Sequence, residues 1–158
     1  MSRRKAREIV LCLVFEKEYQ RDLSCEKLYK DLFENGDMAG IYNSFIDKEE
    51  KENKKSPKSL SEADENYIKN TFLGVFENIE NIDDAISSSS IGWEYNRISK
   101  ISMALLRIAV YEILYAADVP VSVAINEAVE LSKRYDDSEA YTFINGVLGA
   151  VAKNHKGI

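Results

Sequence analysis

The segment from Ser99 to Ala117 constrains this chain more than any other. Wound as an α-helix, it places Met103, Ala104, Leu105, Ile108, Ala109, Val110, Ile113 and Leu114 around nearly its whole circumference. A helix with so little polar face has to be surrounded by protein. It is no membrane span, because the apolar stretch from Ile101 to Ala117 is too short and carries Arg107 and Glu112. The wrapping must come from the rest of the chain. Its 158 residues suffice for one domain with a real core, without disulfides or metals. Two prolines and seven glycines are few, so the wrapping is predicted to be helical.

Apolar periodicity supplies those helices. A first runs from about Arg3 to Tyr19, with Ala6, Val10, Leu13 and Val14 inward. A second covers Ser24 to Asn35, with Ser24 as N-cap, Leu28, Leu32 and Phe33 inward, and Gly36 as the stop. A third starts near Leu60, where Ser59 with Glu62, and Ser61 with Asp64, fit capping boxes. Its stripe is Ile68, Phe72, Val75, Phe76 and Ile79. The chain is expected to bend near Asn81 and resume through Ile82 and Ile86, with Trp93 anchoring the junction of two halves. After the central helix, Asp118-Val119-Pro120 forms a break and Pro120 opens the next helix. Val121, Ile125, Ala128, Leu131 and Tyr135 are its inward positions. A turn at Asp136-Asp137-Ser138, with Ser138 as N-cap, leads into a last helix from about Glu139 to Lys153. Phe143, Val147 and Val151 form its stripe. Gly146 costs that helix about 1 kcal/mol, and close approach of a neighbouring helix is the expected reason. Arg107 or its neighbours are expected to pair with Glu127 of the next helix, because buried charges need partners. No segment alternates as a strand would.

Little here suggests catalysis. The single histidine, His155, lies near the C-terminus. GxSxG, P-loop and GxGxxG patterns are absent. Cys12 and Cys25 form no CxxC pair and have no His cluster, so neither a zinc site nor any other metal site is expected. Cys12 falls among apolar residues and reads as a packed thiol. The basic start followed by Ile9 to Phe15 is too short for a signal peptide and is closed by Glu16, Lys17 and Glu18. A cytoplasmic binding module, with no membrane attachment, is the reading that remains.

The binding signal is a local charge. Arg3, Arg4, Lys5 and Arg7 are four of 21 basic residues, which leaves 17 basic against 27 acidic residues elsewhere. Cations at a helix N-terminus oppose the macrodipole, so this placement costs stability and points to a role beyond folding. Guanidinium forks suit phosphates and stack on bases. Arg3 and Arg7 are four apart and share a helix face. By contrast, residues 47–58 (DKEEKENKKSPK) hold no apolar side chain and read as a solvated loop.

Three blocks then carry a family resemblance: RRKARE at 3–8, LLRIAVYEI at 105–113, and VPVSVAINEAVELSKRY at 119–135 followed by FINGVLG at 143–149. With them the chain resembles the NusB transcription antitermination family. Residues 36–66 match nothing in that pattern and look like an insertion. The resemblance implies an all-α fold of two small orthogonal helical bundles with about seven helices, in one domain with halves at 1–90 and 93–158. It implies binding of the boxA element in ribosomal RNA leader transcripts, together with NusE, a small-subunit ribosomal protein, within an RNA polymerase antitermination complex. No reaction and no cofactor are implied. The family's RNA-contacting segment falls on Arg3, Arg4, Lys5 and Arg7. A Tyr common on the first helix is Phe15 here, which can stack but has no hydroxyl to donate. The RNA surface extends to the start of the last helix, here Glu139 to Phe143. Gly149 stands where the family usually has Asp. Two alternatives stay open. One is an accessory domain of a ribosomal RNA methyltransferase, disfavoured because no Gly-rich cofactor segment or catalytic Cys motif precedes the end at Ile158. The other is a self-associating scaffold, a homodimer that masks its RNA surface.

Overall fold

A computed structural model describes residues 2–33, 61–90, 92 and 98–156. Among these, every regular element is a helix: α1 (Arg3–Tyr19), α2 (Cys25–Phe33), α3 (Glu62–Glu77), α4 (Ile79–Ser89), α5 (Lys100–Tyr115), α6 (Val121–Tyr135) and α7 (Ala140–Lys156). This is the all-α class expected. The chain divides into two compact units, Met1–Leu73 and Gly74–Ile158, and the boundary falls within α3. Trp93 and the charged stretch 47–58 lie outside the described residues, as do Ser59 and Gly36.

In the first unit, Ser2 caps α1 by accepting the Lys5 N–H at 3.2 Å. The helix is buried without interruption from Ala6 to Val14, on more than the single stripe that periodicity suggested. Arg7 and Glu8 are thus carried into the interior with their apolar neighbours. α2 packs against α1, buries Leu28, and is capped by Ser24, which accepts the Lys27 N–H at 3.1 Å. Half of the capping box expected at Ser61 forms: the Asp64 N–H donates to Ser61 Oγ (3.1 Å), while the Asp64 carboxylate accepts from the Ser61 hydroxyl (2.9 Å) in place of the Ser61 backbone N–H.

The second unit is arranged around α5, which packs against α4, α6 and α7. Leu105, Leu106, Ile108, Ala109 and Val110 are all buried, as a helix apolar all round requires. Pro120 opens α6. The bend between α3 and α4 comes at Asn78, three residues before the expected place, where the Asn78 side-chain amide donates to Gly74 O at 2.9 Å and competes with the helical ladder.

One packing expectation changes, and one cation gains an unforeseen partner. Gly146 is exposed and, among the described residues, nothing lies within 4 Å of the position of a Cβ, so no described helix approaches it closely. The close approach is at Gly74, where an added Cβ would stand 2.6 Å from Cζ and Oη of Tyr111. Arg107 forks onto Asp83 of α4, with Nε to Oδ1 at 3.0 Å and Nη2 to Oδ2 at 3.1 Å, a partner the helical pattern did not indicate. The pair lies 24 residues apart in the chain and ties α4 to α5.

Candidate nucleic-acid interface

The N-terminal basic turn does not behave as one group. Arg3 and Arg4 are exposed, Lys5 is half-buried, and Arg7 is only 4% exposed. Helical geometry explains the split. Arg7 follows Ala6 onto the buried length of α1, whereas Arg3 and Arg4 occupy its first, outward turn. Lys5 Nζ forms an ion pair with the buried Glu8 carboxylate at 3.5 Å. The Arg3 guanidinium carbon lies 4.1 Å from the centre of the Tyr67 ring, and that of Arg7 lies 5.7 Å from the same centre. Both distances are within cation–π range. The four residues expected to grip phosphates thus separate into an outward pair, one partly neutralised lysine and one interior arginine.

Phe15 is half-buried further along α1 and meets Tyr19 edge to face, ring centres 5.2 Å apart. Tyr19 is 59% exposed, the most exposed large hydrophobic side chain among the described residues. Sequence reading passed over Tyr19, although its spacing of four from Phe15 puts the two on one face. It also passed over Tyr67, whose proximity to Arg3 arises from tertiary packing. Cys12 is buried and its thiol donates to Glu8 O at 3.1 Å. Burial, and then the charge of Glu8, push that thiol well above its ordinary range. It is a packed group and not a nucleophile.

The remaining expected positions, Glu139 and Phe143, fall in the second unit, beside a cleft of about 580 Å³. Its lining includes Ser99, Ser102, Asp136 and Asp137. Ser99 Oγ donates to Asp136 Oδ2 at 2.9 Å, and the Ser102 hydroxyl donates to the same oxygen, so this carboxylate links the start of α5 to the end of α6. Glu139 is exposed at the rim, while Phe143 is 9% exposed and belongs to the wall. The core position expected of Phe143 is the one it occupies. Carboxylates at this mouth repel phosphates but can accept hydrogen bonds from base amino groups. Among the described residues, no cluster of three or more His, Cys, Asp or Glu could hold a metal, and no helix is long and apolar enough to cross a membrane.

Residues 4–153 match the NusB family model. The chain belongs to the NusB family. A transcription antitermination protein NusB of Clostridium perfringens (strain SM101 / Type A) is 40% identical over 156 residues, 99% of this chain and 100% of that protein. One from Acetivibrio thermocellus is 40% identical, covering 97% of this chain and 90% of its own length. Among solved structures, NusB of T. maritima is similar with a TM-score of 0.72 at 29% identity, over 97% of this chain and 92% of that one. A crystal structure of antitermination factors NusB and NusE in complex with dsRNA shares the fold, with a TM-score of 0.70 at 24% identity and 96% coverage of both chains. The NusB match takes in the basic turn from Arg4, and both C-terminal blocks.

Proposed function

We propose that this chain is an RNA-binding transcription antitermination factor of the cytoplasm. It binds the boxA element of ribosomal RNA leader transcripts together with NusE, joins the RNA polymerase antitermination complex and suppresses premature termination. It is a binding protein and catalyses no reaction. The observation that carries this reading is the outward, cationic first turn of α1, mounted on a helix buried from Ala6 to Val14 in a chain of net charge −6. A turn placed so, at the unfavourable end of the helix dipole, serves a polyanion better than it serves folding.

Arg3 and Arg4 hold phosphates, with Lys5 contributing what its pairing to Glu8 leaves over. Arg7 supports the turn from inside. Unstacked bases rest against Phe15 on α1, and Glu139 on α7 accepts from a base edge near Phe143. Few cations are available, so affinity for RNA alone is modest and rises when NusE adds its own surface. A gel shift with a boxA transcript, with and without NusE, tests this. A complex stabilised by both proteins is expected. Failure of the pair to retard boxA RNA at low ionic strength contradicts it.

A further inference from the structure

The chain has 27 acidic residues, yet Arg3 is cradled by a ring. Among the described residues its guanidinium meets the face of Tyr67, at 4.1 Å, and no carboxylate. The distinction matters chemically. A carboxylate would hold Arg3 through its N–H donors and neutralise its charge. A ring engages the flat face of the guanidinium and leaves the donors, which lie in its plane, directed outward. Tyr67 also lies 5.7 Å from Arg7, which is buried and fixed. One ring on α3 therefore backs two successive turns of α1: a buried cation below and an exposed cation above.

We infer that Tyr67 is a positioning residue for RNA binding, a pedestal that presents the Arg3 guanidinium edge to a phosphodiester group. The inference rests on the RNA reading above. Long side chains lose rotamer freedom when they bind, and a stacked arginine has surrendered part of that freedom already. Stacking also fixes the direction of the fork, which a solvated Arg3 would have to find anew in each encounter.

The test is fluorescence anisotropy of a labelled single-stranded boxA RNA titrated with the full chain and NusE, over a range of salt. Tyr67→Leu removes the π face and keeps an apolar side chain. It is expected to weaken binding about two- to five-fold. It should also lower the slope of log affinity against log salt by up to about 0.7, the share of one phosphate contact to a single strand. Tyr67→Phe keeps the face and should restore both quantities. Arg3→Ala should weaken binding, and Arg3→Ala combined with Tyr67→Leu should be no weaker than Arg3→Ala alone. If Arg3→Ala weakens binding while Tyr67→Leu does not, or if the two losses add, the pedestal is wrong and the RNA reading stands. If Arg3→Ala binds as tightly as the parent, both the pedestal and the phosphate role of Arg3 fall.

Discussion

Arg7 follows Arg3 by one helical turn and meets a different environment. Arg3→Ala removes an exposed charge and should leave stability within about 0.5 kcal/mol. Arg7→Ala deletes a buried, packed side chain and leaves the interior around Glu8 with one cation fewer, at a cost of about 2–4 kcal/mol by urea denaturation. A test of the RNA surface by substitution therefore needs Arg3 with Arg4, because a change at Arg7 would act through folding. The two glycines separate in the same way. Gly74→Ala drives a methyl group into the Tyr111 ring and should destabilise by about 1–3 kcal/mol. Gly146→Ala, whose methyl group meets none of the described residues within 4 Å, should stabilise by up to about 1 kcal/mol. Equal effects from the two alanines in parallel thermal melts would contradict this packing. Cys12 carries the pH prediction. Burial raises its thiol, so the folded chain keeps a proton that an unfolded chain gives up above about pH 8.5. Its contribution is complete below that pH and is lost progressively above it. Cys12→Ala should therefore flatten the alkaline fall of stability measured between neutral pH and about pH 10.

At the scale of elements, caps and breaks were legible and partners were not. Ser24, Ser61 and Pro120 mark helix starts by chemistry local to each position, and each is found at a helix start, whereas Ser138, the cap expected for the last helix, falls in a turn two residues before α7 begins at Ala140. The expected close approach at Gly146 failed because a glycine in a helix reports a missing side chain and not a neighbour. The neighbour of Gly74 is Tyr111 on α5, beyond the reach of a local pattern. Arg107 shows the same limit. Its need for an acidic partner was evident, but among many carboxylates only the packing of α4 on α5 selects Asp83. That fork joins two half-buried groups, and Asp83→Ala should cost about 1–3 kcal/mol by leaving a charge-assisted pair broken. Asp83→Asn should recover part of the loss by accepting one hydrogen bond. Urea melts of the two variants, alone and with Arg107→Met, measure the coupling.

For the molecule as a whole, family blocks made the fold and the RNA reading accessible, because three stretches of consecutive residues carry them. The proposed binding surface was legible as a composition of charge and opaque as a geometry. Four cations in five positions announce a polyanion site, but the burial of Arg7 and the stacking of Arg3 depend on α3, from a distant part of the chain. With a net charge of −6, the molecule as a whole repels a polyanion, and the proposed function therefore relies on the outward turn and the partner for the grip. The most direct measurement is the salt dependence of boxA RNA binding by the chain with NusE, compared with Arg3→Ala/Arg4→Ala. Two lost phosphate contacts should weaken binding at low salt and reduce the slope of log affinity against log salt by about 1.4. An unchanged slope, with affinity intact, would contradict the assignment of the cationic turn to RNA.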